Sequence, residues 1–297
     1  MQAKIYHLHT LSPLHCGTGQ ATGIVDLPIA RARATQLPMV PGSSLRGVVR
    51  TYLEQQPSGE QQAKVLFGPR NVSSSEESFA GTLALSDAQL LLLPIRALNG
   101  ILCYATSPFV LHRYAYDRKR AGLKELSLPI SPRAESAKVT SNSCNLLGEK
   151  LVLEDLDLSA TPDTSLDIWA KEIAATLYPE EEALRGELTR RMALLPDDIF
   201  SYLAETATEL RTRIAIDSKT GTVKSGALWF EENLPAESLL WGLYANNVRD
   251  QKRPNEQPEA AVAPNPFDPH LLLQLGGNGG VGRGLVRLLG LEEVKHA

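Results

Sequence analysis

The sequence predicts an α+β fold of the ferredoxin-like type, with loops inserted between its elements. Segments with the two-residue alternation of strands are interleaved with segments of helical periodicity. Near residues 211–232, two alternating stretches flank a Lys-Thr-Gly turn, which predicts a long β-hairpin that leans toward projecting from the core. No repeat of fixed period is present. The 297 residues are enough for one large domain or two small ones.

The N-terminal part predicts a strand, a turn and a helix. Residues 4–11 alternate as a strand, a Gly-Thr-Gly turn follows at 17–19, and residues 24–29 are predicted to be extended. The next segment begins Pro-Gly-Ser-Ser at residues 41–44, which predicts a helix cap, and its apolar residues then recur at helical spacing. Arg46 and Arg50, four residues apart, are predicted to lie on one outer face of this helix.

The remainder predicts strands, two helices and loops. Strands are expected at 82–86 and 88–96, a helix from Ser107-Pro108 to near Gly122, and another helix at 196–209. Residues 127–145 are predicted to form an irregular polar loop, and the proline-rich stretch 251–269 a flexible loop. The C-terminal part is predicted to hold an apolar segment, a glycine loop and a final strand.

Composition excludes several classes of protein. With 43% hydrophobic and 22% charged residues the chain is typical of soluble globular proteins, and no apolar run is long enough to span a membrane. The N-terminal residues lack the pattern of a signal peptide, so a cytoplasmic location is expected. Three widely spaced cysteines fit neither a disulfide framework nor a zinc site, and they are expected to be reduced.

The net charge of −4 conceals a division of charge along the chain. Residues 11–50 hold four arginines against Asp26 only, and residues 109–124 carry a net charge of +4. Residues 151–210 carry a net charge of −10. Because a local basic stripe is what attracts a polyanion, nucleic-acid binding is compatible with the acidic total. The basic stretch at 109–124 is equally compatible with a solvated helix face.

Two glycine-containing segments are candidates for holding phosphate groups. Gly277, Gly279 and Gly282 match a dinucleotide-binding pattern, but too little chain follows for that fold, which leaves a loop of close backbone approach or a plain turn. Arg283 beside this loop is a candidate phosphate-binding charge. The other segment, Gly-Ser-Ser-Leu-Arg-Gly at 42–47, offers Ser43, Ser44 and Arg46 at a helix start, although helix capping explains the serines equally well.

Acids and a histidine near these segments are the candidates for chemistry. Asp26 could hold a Mg²⁺ ion, which needs few protein ligands, or could orient or deprotonate a ribose 2′-OH; a turn-forming role is the plain alternative. His15 is more often structural at such a position but could contact a phosphate or a base. A two-metal site would need partners distant in sequence, for which Glu231 and Glu232 are candidates, although paired glutamates at a strand end are usually just solvated.

These residues resemble a known family. Residues 9–50, the hairpin ending GALWFEENLP and the terminal LQLGGNGGVGRGLVRL resemble the RAMP (repeat-associated mysterious protein) superfamily. Within it, the VDLPIAR and GSSLRG segments are most similar to the backbone subunit of the type III-B CRISPR Cmr complex. Residues 72–195 carry no motif that can be matched.

The resemblance implies a single domain over residues 1–297 with a ferredoxin-like, RRM-like palm and a projecting hairpin thumb. Copies would associate head to tail along a CRISPR guide RNA, together with other Cmr subunits, and each would cut single-stranded target RNA paired to the guide. Asp26 matches the catalytic acid position and implies a divalent metal such as Mg²⁺, His15 matches a neighbouring position, and Glu231 or Glu232 an assisting acid. The resemblance implies that the guide backbone is held by Ser43, Ser44, Arg46, Arg50, Gly277, Gly279 and Arg283.

Two other functions stay open at this point. The chain could be a purely structural RNA-binding subunit of the same complex. It could also be a metal-independent nuclease that processes repeat RNA with His15 as general acid or base, although the GSSLRG and VDLPIAR segments argue against this.

Overall fold

The computed structural model describes residues 3–19, 25–70, 79–246 and 271–290. The predicted flexible loop at 251–269 lies outside these ranges. Within them, none of the helices has the length and apolar character needed to cross a membrane. The helices are α1 Gly42–Glu54, α2 Gly59–Phe67, α3 Pro108–Arg120, α4 Thr164–Leu177, α5 Glu182–Thr189 and α6 Asp197–Thr206.

The fold is a mixture of these helices with strands, as the sequence predicts. The strands are β1 Lys4–Thr10, β2 Met39–Val40, β3 Leu83–Leu85, β4 Ala88–Ala97, β5 Ile101–Thr106, β6 Ser136–Val139, β7 Leu146–Leu147, β8 Lys150–Leu153, β9 Leu156–Pro162, β10 Met192–Leu194, β11 Glu209–Ile216, β12 Val223–Asn233, β13 Leu239–Asn246, β14 Leu271–Gln274 and β15 Leu285–Gly290. All but two of them join one large sheet.

β1 is a central strand of this sheet. It pairs antiparallel with β13 on one side and with β15 on the other, and β13 pairs antiparallel with β4. The full order is β14-β15-β1-β13-β4-β5-β10-β6-β9-β8-β7. A further pairing, between Ala97 and Leu153, joins β8 back to β4 and so curls the second half of the sheet. The six inner residues of β1 are buried, which explains its place in the middle of the sheet.

Helix α1 forms where the periodicity predicts it, but its cap differs from the prediction. Leu45 and Val49 are fully buried on its inner face. No serine side chain caps the helix; the residue at the cap is Pro41. The backbone N–H of Gly42 instead donates to the carboxylate of Asp87 over 2.7 Å, so an acid from the β3–β4 connection satisfies this helix end. The predicted helix start at residues 41–44 is confirmed, but the capping hydrogen bond comes from Asp87 and from neither serine.

The middle of the chain departs most from the sequence prediction. The predicted irregular loop at 127–145 contains β6, which pairs in parallel with β9, so that part of the prediction was wrong. Helix α4 was missed, although its N-cap is a recognisable signal: the Asp163 carboxylate accepts hydrogen bonds from the N–H groups of Ser165 and Leu166. Within the predicted range, residues 127–135 and 140–145 lie outside helices and strands.

A buried cluster of polar side chains joins β1 and β13 to α3. The Nε2 atom of His7 is 2.7 Å from the hydroxyl of Tyr114, and the indole N–H of Trp241 donates to Asp117 over 3.1 Å. Burial, helped by the charge of Arg118, lowers the pKa of His7 to about 3, so this histidine is neutral in the folded protein. The cluster is part of the core and lies apart from the hairpin.

The hairpin of β11 and β12 forms a separate two-stranded sheet. At its inner end Glu231, Glu232 and Asn233 are buried, whereas Ile214, Leu228 and Phe230 are substantially exposed farther out. The hairpin therefore has an anchored base and a free outer part. The predicted bounds of 211–232 differ from the observed strands by only two residues at the start and one at the end.

Candidate active site at the base of the hairpin

At the base of the hairpin, residues 25–29 lie along the edge of β12 that does not pair with β11. Leu27 forms a parallel bridge with Glu231. The Leu27 N–H donates to the Phe230 carbonyl over 3.1 Å, and the Glu232 N–H donates to the Leu27 carbonyl over 3.0 Å. This arrangement satisfies backbone groups of β12 that point away from β11, as an added strand would. It fixes Asp26 beside the hairpin, 204 positions away in the chain from its partner strand.

Asp26 uses one carboxylate oxygen for structure and leaves the other available. Its Oδ2 accepts a hydrogen bond from the backbone N–H of Phe230 over 2.8 Å. Its Oδ1 has no hydrogen-bond partner among the described residues, and the side chain is half-buried. A carboxylate held on one side and open on the other can accept a proton, orient a hydroxyl or bind a cation.

His15 packs against the same stretch of β12. Its Nδ1 lies 2.7 Å from the backbone carbonyl of Glu232, and a carbonyl can only accept, so Nδ1 carries the proton. Nε2 has no hydrogen-bond partner within the described part of the chain. A Cβ atom on Gly17 would lie 2.6 Å from Nε2, so a glycine is required there to leave room for the ring. Asp26 and His15 are thus both anchored on residues 230–232.

The carboxylate of Glu232 is buried among donors. Its Oε2 accepts from the Ile29 N–H over 3.0 Å, and its Oε1 accepts from Arg31 over 2.5 Å and from the Thr208 hydroxyl over 3.0 Å. Only 5% of the residue is exposed. Glu232 therefore joins the segment that carries Asp26 to the start of the hairpin.

Glu231 faces a different set of partners. The side-chain amide of Asn278 donates to its Oε2 over 2.7 Å. The guanidinium groups of Arg213 and Arg283 lie 3.6 and 3.8 Å from its two oxygens. With 1% of the residue exposed, this carboxylate is an internal charge held by the glycine loop and by β11.

The glycine loop packs on the chain next to His15. Gly277 donates its N–H to the His15 carbonyl over 2.9 Å, and a Cβ on Gly276 would lie 2.3 Å from that carbonyl oxygen. Gly279 begins a single 3₁₀ turn and lies on the exposed surface. Arg283, proposed from the sequence as a phosphate-binding charge, has its Nε buried toward Glu231.

The start of α1 differs from what the sequence suggested. The Arg46 guanidinium donates inward, to the carbonyls of Leu83 and Phe67 over 2.9 and 2.7 Å, and stacks on the Phe67 ring. Burial lowers its pKa. Arg50 is paired with Glu54 over 2.8 Å, so neither arginine points freely into solvent.

Ser43 and Ser44 occupy the first turn of α1. Ser43 is exposed and Ser44 half-buried. The first turn contains no acidic residue. Of the residues predicted to hold the guide backbone, Ser43, Gly277 and Gly279 are exposed, whereas Arg46 is occupied by main-chain carbonyls.

A metal site built from several protein ligands is not found in the described residues. Among them, no group of three or more His, Cys, Asp or Glu side chains could hold a metal ion. Glu231 and Glu232 are directed to arginines instead of to Asp26. The donor set therefore fits at most an ion held through the free oxygen of Asp26, as Mg²⁺ allows because it retains most of its waters.

Three further residues shape the site and were missed from sequence. Arg31, Thr208 and Asn278 each donate to a buried glutamate. The surplus of arginines in residues 11–50 was a signal for Arg31, but nothing near Thr208 or Asn278 in the sequence indicates that a carboxylate would lie beside them.

Comparison with known proteins supplies the family. The family model described as "RAMP superfamily" matches residues 7–287. This chain belongs to the RAMP superfamily. It is also 35% identical over 300 residues to the CRISPR system Cmr endoribonuclease Cmr4 of Pyrococcus furiosus, covering 100% of this chain and 98% of that protein. This full-length match confirms the family and the class of enzyme, an endoribonuclease, that the sequence predicts.

Solved structures agree with the family assignment. The crystal structure of oligomeric Cmr4 from Pyrococcus furiosus superposes with a TM-score of 0.72 at 27% identity, covering 99% of this chain and 100% of that one. A cryo-EM structure of the type III-B Cmr-beta complex bound to cognate target RNA contains a chain with the same fold, with a TM-score of 0.71 at 17% identity over 97% of this chain and 96% of that one. The α+β architecture of this RAMP protein is therefore that of Cmr4.

Proposed function

We propose that this RAMP protein is a backbone subunit of a CRISPR RNA-guided effector complex that cleaves target RNA paired to the guide. The observation that carries the proposal is the half-open carboxylate of Asp26, held on the Phe230 N–H at the base of the hairpin. A chain 35% identical over its whole length bears the name endoribonuclease, which supports this assignment.

Asp26 is the proposed catalytic acid and His15 its neighbour. Because Nδ1 of His15 is tied to a carbonyl, Nε2 is the atom left to contact the substrate, as a donor to phosphate when protonated or as an acceptor when neutral. The free oxygen of Asp26 would hold a divalent ion, with Mg²⁺ the proposed cofactor. Such an ion supplies Lewis-acid stabilisation of charge on the phosphate when bound.

The palm is proposed to be ferredoxin-like. Strands β15, β1, β13 and β4 are neighbours in the sheet and are all antiparallel. Numbered by chain order among themselves, they lie as 4-1-3-2, and α1 falls between β1 and β4 in the chain. This order supports a split βαβ arrangement. The hairpin of β11 and β12 would then be the thumb, with its exposed apolar residues beside the guide–target duplex.

Specificity for the target sequence would come from base pairing with the guide. The protein would then need to recognise only the shape and the sugar-phosphate backbone of the RNA. Ser43, Ser44 and the glycine loop with Gly277, Gly279 and Arg283 are the proposed contacts to the guide RNA. Head-to-tail association of copies along the guide, next to other Cmr subunits, fits a heterologous interface that does not close. Oligomeric Cmr4 from Pyrococcus furiosus, to which the fold is similar, supports self-association.

One experiment separates the proposal from its alternatives. A complex reconstituted with Asp26→Ala is given a guide-matched RNA with Mg²⁺ and, in parallel, with a chelator. The proposal expects loss of cleavage in both arms with assembly intact. Undiminished cleavage by the Asp26→Ala complex would favour a scaffold role. Cleavage of guide precursor by the isolated chain in the presence of chelator would favour the metal-independent processing nuclease.

A further inference from the structure

Glu231 and Glu232 are neighbours in β12 whose side chains serve opposite faces. Successive side chains of a strand point to opposite sides, so two adjacent glutamates cannot share one site. Both are almost completely buried, and a buried carboxylate is costly unless it is paired. Each of the two is paired, but with a different part of the molecule.

The face of Glu232 holds the segment that carries Asp26. The Ile29 N–H, three residues after Asp26, donates to Glu232, and so does Arg31. Arg31 also donates to the carbonyl of Ala204 at the end of α6 over 3.0 Å. Glu232 is thus the centre of a set of contacts that fixes residues 25–31 against the hairpin.

The face of Glu231 holds the glycine loop. Asn278 and Arg283 from the loop, and Arg213 from the partner strand of the hairpin, surround its carboxylate. Asn278 is in the left-handed region at φ +63°, a conformation that its side-chain hydrogen bond to Glu231 helps to hold. Within the described residues, Oε1 of Glu231 and Nε of Arg283 are buried and form no hydrogen bond. They lie 3.8 Å apart, so their opposite charges attract each other without a hydrogen bond.

We propose that these two glutamates are positioning residues with separate tasks, Glu232 for the catalytic segment and Glu231 for the guide-binding glycine loop. This rests on the function proposed above. The catalytic use of either glutamate then becomes unnecessary: Glu232 acts on cleavage through the position of Asp26, and Glu231 acts on guide binding through Asn278 and Arg283. Strand β12 alone would therefore position both the catalytic segment and the glycine loop.

The test compares Glu231→Gln and Glu232→Gln in the reconstituted complex, with Glu209→Gln on the same hairpin as matched control. Single-turnover cleavage at saturating guide and the guide dissociation constant are measured for each. For Glu232→Gln we expect a roughly 10-fold or larger fall in cleavage rate that exceeds its effect on guide binding. For Glu231→Gln we expect guide binding to weaken by more than the rate falls. Equal effects of both variants on both quantities would overturn the proposal.

Hydrogen exchange of the isolated chain provides a readout that does not depend on cleavage. Glu232→Gln is expected to speed exchange at Ile29, whereas Glu231→Gln speeds it at Gly277 and Gly284, whose N–H groups bind the carbonyls of His15 and Pro13. Should a glutamine variant fail to fold, Thr208→Val and Asn278→Ala each remove one donor from one face only. If both variants of either pair speed exchange equally at Ile29 and in the glycine loop, the proposal is wrong. This readout stays valid even if Asp26 proves not to be catalytic.

Discussion

The base of the hairpin and the start of α1 were both predicted from the sequence to contact RNA, yet their polar groups differ in how many internal partners they have. At the hairpin base, the backbone of β12 holds Asp26 and His15 by one atom each. The Oδ1 of Asp26 and the Nε2 of His15 have no hydrogen-bond partner among the described residues. At α1, the charged group of the motif is itself consumed, because Arg46 donates to two main-chain carbonyls. Polar groups that lack internal partners are the ones available to bind a ligand, and such groups remain at the hairpin base.

Arg46→Ala should cause the largest change, and it should be a change in stability. The substitution leaves the carbonyls of Leu83 and Phe67 without their donor and removes the stacking on the Phe67 ring. We expect a loss of about 3 kcal/mol in the free energy of unfolding, measured by urea denaturation. Ser43→Ala is the control at the same helix start. Unchanged stability together with a weaker salt dependence of guide binding would mean that Arg46 faces RNA after all.

His15→Ala should act on the other region and on chemistry. Removal of the ring leaves the Glu232 carbonyl to water and deletes Nε2, so we expect cleavage to slow by roughly 10- to 100-fold in single-turnover assays. Gly17→Ala should produce a smaller loss in the same direction, because its Cβ would displace the ring. A normal rate in His15→Ala would reduce this residue to a structural role.

His7 offers a contrast with His15, because it is buried and neutral. Its pKa is lowered from 6.5 to about 3 by burial, so below pH 6.5 the unfolded chain binds a proton that the folded chain does not. The contribution of His7 to stability is therefore lost as pH falls from 6.5 toward 3, by up to about 1.4 kcal/mol per pH unit. We expect His7→Gln to flatten the dependence of stability on pH in this range, and His112→Gln on the exposed side of α3 to leave it unchanged. Equal slopes in all three proteins would contradict the assignment.

Ser43→Asp should give the smallest effect. An exposed negative charge in the first turn of α1 would repel a guide phosphate, and we expect guide binding to weaken by about threefold to tenfold with little change in the melting temperature. Filter binding at several salt concentrations measures this, with Ser43→Asn as the uncharged control. Guide binding equal to that of the unsubstituted chain would show that the start of α1 does not contact the guide.

The elements that could be predicted from the sequence are those that depend on local residue pattern. Alternation and helical spacing located β1, α1 and the hairpin. The sequence also selected Asp26 as the catalytic acid, and that role stays a prediction. The sequence could not predict which partners meet across long separations: Asp87 caps α1 from the β3–β4 connection, and Arg46 donates inward to the Leu83 carbonyl. The two glutamates could not be told apart either, because their roles depend on residues 47 and 201 positions away.

Replacement of Asp26 by asparagine tests the central claim most directly. Asparagine keeps the shape of the side chain and can still accept the Phe230 N–H, but it removes the charge of the open oxygen. Single-turnover cleavage of guide-matched RNA is measured for the unsubstituted complex and for the Asp26→Asn complex, at equal guide occupancy and Mg²⁺ concentration. We expect the Asp26→Asn complex to assemble normally and to cleave roughly 100-fold more slowly or worse. Cleavage within about threefold of the unsubstituted complex would contradict the account.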